Sequence, residues 1–239
     1  MTNGLTVDEA MEIVKDFYRE YPALQQISCE VFPSEKEAFG DEYAQQSRET
    51  KTRTSGAYLA RDRAIFIPAA SNYSEEDLRA TLRHELIGHF GLNTFTTDQK
   101  RNILNAILRF KGSGKEPENW AKIQGLYPRE SRDTLAEEYF AHICEAPAHP
   151  DVKLSERSLE QILTSKSYIP SNLEISGLAN YVEKLASENV LKQQHMPSSN
   201  GSSFKIFMNL EKISVVAKLA TGRFIGPGME MKRHDNPEP

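Results

Sequence analysis

Arg83-His84-Glu85-Leu86-Ile87-Gly88-His89-Phe90 places two imidazoles and a carboxylate within six residues. Imidazole is the commonest side-chain ligand for zinc, and a glutamate beside it can serve as a general base. The two histidines are five residues apart. At about 100° per residue, four steps along an α-helix separate side chains by roughly 40°, and five steps by roughly 140°. A regular helix therefore cannot aim both rings at one ion. A single π-helical turn absorbs the extra residue, and such turns concentrate at functional sites. Gly88 lies inside the interval, where the missing Cβ eases distortion. If His84 and His89 share a metal, the spacing predicts an i→i+5 distortion across residues 84–89.

Catalytic zinc usually takes three protein ligands and keeps a position for water. Leu135-Ala136-Glu137-Glu138-Tyr139-Phe140-Ala141-His142 reads as a second helix that can supply the third. Glu137 and Glu138 sit about 100° apart on it, so they cannot both point inward equally. His142 lies four residues beyond Glu138, over the same face. It could orient a ligand, bind substrate or face solvent. A glutamate between two metal ligands reads as a base rather than a salt-bridged surface residue, which assigns proton transfer to Glu85.

The familiar H-E-x-x-H signature has one residue fewer than this chain shows. With the second stretch added, the pair resembles the zincin-type metallopeptidases. His84-Glu85-Leu86-Ile87-Gly88-His89 and Glu137-Glu138-Tyr139-Phe140-Ala141 are similar to the H-E-L-L-G-H and E-E-x-x-A motifs of the dipeptidyl peptidase III family. Members of that family are far larger, so only the metal motifs carry over. The stretch from Gly56 to His142 also resembles the zincin-like domains of large polyvalent proteins of conjugative plasmids and phages. Those show a short hairpin, a six-residue H-E-x-x-G-H followed by a glycine, and a distal E-E-x-x-A.

The resemblance implies an α+β, mainly helical fold with a small β-sheet over the metal-binding helix. It implies zinc as cofactor, with His84, His89 and Glu138, the second glutamate of its pair, as ligands. It implies hydrolysis of a peptide or protein amide bond by a zinc-activated water, with Glu85 taking the proton and passing it to the leaving amine. Tyr58, Tyr73, Tyr127 and His142 are the candidate donors to the oxyanion, unranked by the sequence. The family commonly has an acid near the position of His142, so this departure leaves that residue's role open. Two other readings remain: a zinc-stabilised module that binds a partner without chemistry, inside a mobile-element protein, and a zinc hydrolase of a non-peptide amide or ester.

With 239 residues, the chain has room for one catalytic domain and an appendage. Its formal net charge of −5 argues against a general nucleic-acid-binding surface. No apolar run approaches the roughly 18 residues of a membrane span. The first residues lack the basic and apolar regions of a secretory signal. Cys29 and Cys144 follow no spacing pattern and read as reduced structural thiols, which points to the cytoplasm.

The elements that must position the motifs can be read in order. Thr6 and Glu9 form a capping box ahead of a first helix, and a short strand spans Ile27 to Val31. Residues 34–55 read as a long polar loop with room for a helical turn. Gly56–Ala60 and Ala64–Ile67 read as a hairpin whose strand is a candidate shelf for an extended substrate. Ser74 caps the metal helix, and Gly91 sits where a C′ glycine would end it. A helix from Thr97 to Phe110 makes Lys100, Arg101, Arg109, Lys111 and Lys115 a locally basic, solvated face. A short helix with Trp120, the glutamate helix, and helices near Leu154–Thr164 and Leu173–Gln194 complete a catalytic domain over residues 1–194. Residues 195–203 read as a linker, 204–221 as an amphipathic helix that docks on the domain or binds a protein partner, and 222–239 as a disordered tail.

Overall fold

The computed structural model describes residues 4–50 and 53–192. The expected linker, C-terminal helix and tail lie outside the described residues. Helix α1 (Val7–Glu20) starts at the Thr6–Glu9 capping box, with both reciprocal bonds made. Its apolar face buries Ala10, Val14, Phe17 and Tyr18. A 3₁₀ turn (Pro22–Gln26) leads into β1 (Ser28–Phe32). The hairpin follows as β2 (Ala57–Leu59) and β3 (Ala64–Pro68).

The three strands run in the order β1-β3-β2, with β1 parallel and β2 antiparallel to β3. Period-two alternation divides the sheet into two faces. Cys29, Val31, Tyr58, Ile65 and Ile67 join the main core with the helices. Phe32, Ala57, Leu59, Ala64 and Phe66 form a second, smaller core with Ala38 and Phe39.

That second core corrects the reading of residues 34–55 as a loop. Two helices occupy the stretch, α2 (Glu35–Phe39) and α3 (Asp41–Thr50). Ser34 caps α2, and Gly40 ends it at φ 91°, a left-handed value that favours glycine. The segment is polar because only Ala38, Phe39 and a few neighbours pack under the sheet, too few to show a helical period.

On the opposite face lie α4 (Glu75–Leu82), α5 (Thr97–Gly112), α6 (Pro117–Leu126), α7 (Arg132–Cys144), α8 (Glu156–Thr164) and α9 (Asn172–Ser187). Ser74, Thr96, Ser131, Ser155 and Ser171 each accept a backbone N–H at the start of its helix. The last helix ends at Ser187, earlier than the expected Gln194. The fold is therefore mainly helical with a small three-stranded sheet, as expected for its class. Both cysteines are free and buried. Among the described residues, no helix is long and apolar enough to cross a membrane.

Candidate metal centre

Helix α4 does not stop at Leu82. From Arg83 to Phe90 the chain continues as a π-helix, the distortion that the five-residue spacing demands. The rings of His84 and His89 consequently lie on one side, with centroids 5.0 Å apart. Gly91 is not the left-handed cap expected from sequence, because its φ is −55° and helical. It is small for packing: a Cβ there would stand 2.5 Å from Val182 Cγ1 of α9. Gly88 has the same role against α7, where a Cβ would meet Ala141 Cα at 2.7 Å. The close approach at Gly88 brings the two motif helices together.

At this crossing Glu138 faces both rings. Its Oε2 is 3.5 Å from His84 Nε2, and its Oε1 is 3.7 Å from His89 Nε2. Both separations are too long for good hydrogen bonds, and Oε2, though buried, has no hydrogen-bond partner. A tetrahedral zinc with ligands at about 2.0–2.1 Å sets its ligand atoms roughly 3.4 Å apart. One ligand atom from each of His84, His89 and Glu138 lies within 4.8 Å of the other two. An orphaned buried oxygen, two nitrogens and these separations fit a small divalent cation. Of the two neighbouring glutamates, Glu138 is the one whose carboxylate faces both rings.

Glu137 points elsewhere and has a different use. Its Oε1 is 3.1 Å from His89 Nδ1, and its Oε2 is 2.9 Å from Lys100 Nζ. On the other side, Glu145 Oε1 lies 3.0 Å from His84 Nδ1 and 2.6 Å from His142 Nδ1. Each ring thus turns Nε2 to the common centre and Nδ1 to a carboxylate. Metal-ligating histidines are generally held in this way, with the outer carboxylate fixing tautomer and ring angle.

Glu145 and Lys100 are neighbours of this centre that sequence reasoning missed. Glu145 follows His142 by three residues and Glu138 by seven, a helical spacing that marks one face. Lys100 was assigned to a solvated basic face, yet it turns inward to Glu137 and Asn93. The rest of that face is also partly engaged: Arg101 pairs with Asp98, Arg109 donates to Tyr168 O, and Lys111 lies over the Trp120 ring.

Burial would lower the His84 pKa, but Glu138, Glu145 and Glu85 outweigh it and raise it to about 10. Burial acts likewise on His89, and Glu138, Glu137 and Glu85 raise it above its ordinary value. Burial would raise Glu138, and the two imidazoles hold it below the usual carboxylate range. The same opposition, with Lys100 and His89 prevailing over burial, brings Glu137 down to about 2. Four carboxylates around two imidazoles make a site whose charge favours a cation.

Glu85 lies beside this centre, and its Oε2 accepts the Tyr58 backbone N–H at 2.9 Å. That bond ties β2 to the π-helix. One carboxylate oxygen is therefore anchored, leaving the other for chemistry. Glu85 lines a cleft of about 330 Å³ together with Thr54, Gly56, His84, Tyr127, His142 and Glu145. Of the four candidate oxyanion donors, Tyr127 and His142 line this cleft. Tyr58 is buried against Phe90, and Tyr73 is exposed beneath the Arg53 guanidinium. Burial, then Glu138, Glu85 and Glu145, push the Tyr127 hydroxyl well above its ordinary pKa, so it remains a donor.

Part of the chain is 29% identical over 150 residues to the DNA primase TraC of Escherichia coli. The similarity takes in 59% of this chain and 10% of that protein. This chain thus spans about a tenth of the length of the curated relative it matches. No family model matches the sequence, and no solved structure matches it.

Proposed function

We propose that the protein is a zinc-dependent, zincin-like metallopeptidase that hydrolyses a peptide or protein amide bond. The observation that carries this reading is the convergence of His84 Nε2, His89 Nε2 and Glu138 beside a glutamate anchored to the backbone of β2. A zinc ion held by those three residues would supply Lewis acidity and acidify a water. Everything else falls to the chain's own groups. The substrate lies in the cleft that Glu85 lines, against residues 53–56 just before β2. The free oxygen of Glu85 takes a proton from the attacking water as the C–O bond forms. The carbonyl π pair moves onto oxygen, where Tyr127 O–H donates a hydrogen bond. When the C–N bond breaks, Glu85 returns the proton to the amine.

The anchored Glu85 favours catalysis over a metal-stabilised binding module, since structural metal binding needs no base. The relative is about ten times the matched length, so its name alone assigns no activity to this stretch. The match places a similar stretch within a much longer protein. The test is Glu85→Gln. Metal content and melting temperature should stay at wild-type values, while hydrolysis of a peptide library falls by a factor on the order of 10² to 10⁴. A Glu85→Gln protein as active as wild type would refute the assignment.

A further inference from the structure

We infer that Lys100 is a positioning residue that acts on the metal through Glu137 and His89, limiting how much charge Glu137 pushes into the His89 ring. The inference rests on the metal-centre reading above and adds to it a control on that centre's electronics.

The geometry is a straight relay. Lys100 Nζ lies 2.9 Å from Glu137 Oε2, the other oxygen of Glu137 lies 3.1 Å from His89 Nδ1, and His89 Nε2 faces Glu138. Asn93 Oδ1 accepts a second hydrogen bond from Lys100 Nζ at 2.8 Å. The ammonium is therefore held by two acceptors. Its backbone is also fixed, because the Thr96–Gln99 capping box immediately precedes it. A lysine so near the positive end of a helix gains nothing from the helix dipole. Its position is accounted for by the carboxylate it meets.

A carboxylate behind a ligating imidazole draws the Nδ1 proton toward itself and makes the ring a stronger donor. Unopposed, this tightens metal binding and lowers the metal's Lewis acidity. An ammonium on the far oxygen draws the carboxylate's charge the other way. No proton changes hands; the relay only sets how negative the Glu137 oxygen near His89 remains. Glu145, behind His84, shows the contrast: its second contact is the His142 ring rather than an ammonium.

A purely structural lysine and a tuning lysine predict opposite signs. The 239-residue chain is stripped of metal and reloaded with zinc, and affinity is measured at pH 8 by competition with a chelator. Lys100→Met should bind zinc tighter, by about tenfold on the usual scale of groups behind a ligand. Lys100→Arg should match wild type. With cobalt(II) in place of zinc, the visible absorption bands of Lys100→Met should shift, and those of Lys100→Arg should not. Lys100→Gln, which keeps a donor but not the charge, carries the same test if the methionine variant fails to fold. Weaker or unchanged zinc affinity in the charge-removing variant that folds overturns the inference, and leaves the metal centre standing. A wild-type protein that takes up neither zinc nor cobalt overturns the metal-centre reading itself.

Discussion

His84 and His89 offer the same nitrogen to the same place, yet they are held in different ways. Behind His89 stands Glu137, its side chain only 11% exposed, with Lys100 beyond it. Behind His84 stands Glu145, 35% exposed, which also holds His142 at the cleft wall. One arm is buried and closed by a cation. The other opens on the space where substrate would lie, and its outer carboxylate is shared with a cleft imidazole. The difference teaches that the centre has a fixed side and an adjustable side. Rigidity is placed where water would only loosen the ligand. Access is left at the cleft that Glu85 and Tyr127 line.

The largest expected effect tests whether both arms serve one ion. Glu138→Ala removes the carboxylate between the two rings and should lose most of the bound zinc, whereas Glu137→Ala should retain it with weakened affinity. Metal analysis after dialysis reads the difference. Equal loss in the two variants would show that the ligand register is wrong.

Glu137→Gln and Glu145→Gln test the asymmetry itself. Each keeps a hydrogen-bonding group behind its imidazole and removes the charge. On the more buried arm water has less access to replace the lost charge, so zinc affinity should fall by about 10- to 100-fold. On the open arm, cleft water can solvate His84 Nδ1, so affinity should fall less while kcat drops through the displaced His142. Chelator competition and steady-state kinetics separate the two. Matching affinity losses would mean that the arms are equivalent.

The next effect concerns how closely the arms are pressed together. Gly88→Ala places a methyl 2.7 Å from Ala141 Cα, a backbone atom that cannot swing aside. Overpacking of this kind typically costs about 1–3 kcal/mol. Because the clash separates the two motif helices, zinc affinity should fall together with Tm. Gly91→Ala meets Val182 Cγ1 at 2.5 Å on α9 instead. It should lower Tm while affecting zinc affinity less. A Gly88→Ala protein that melts and binds zinc like wild type would show that the crossing has slack.

Much of this was legible in the sequence, for reasons that differ by residue. The π-helix follows from an arithmetic mismatch between a five-residue spacing and a 3.6-residue turn, so His84 and His89 announce it. The caps at Thr6, Ser74 and Ser171 were legible because their partners lie three residues away. Motif register favoured Glu138 over Glu137, and Glu138 is the one that faces both rings. Lys100 was not legible, since its partner is 37 positions away and a lysine on an amphipathic helix ordinarily faces water. Gly91 was misread because a cap and a close crossing call for the same residue type. Helices α2 and α3 were missed because their packing against the sheet rests on few apolar side chains.

The smallest expected effect probes how the more buried arm is kept rigid. Thr96 accepts the Gln99 N–H, and Gln99 returns a bond to the Thr96 N–H, which fixes the first turn of α5 one residue before Lys100. Thr96→Ala removes half of this box and should cost about 1 kcal/mol of stability. The lost hydrogen bond lies outside the metal's own contacts, so zinc content should be unchanged. Amide exchange should quicken at residues 97–100 and remain slow at Glu138, where the neighbouring helix is independently capped by Ser131. If exchange instead quickens equally on both helices, the two arms loosen as one unit, and the division into a fixed and an adjustable side fails.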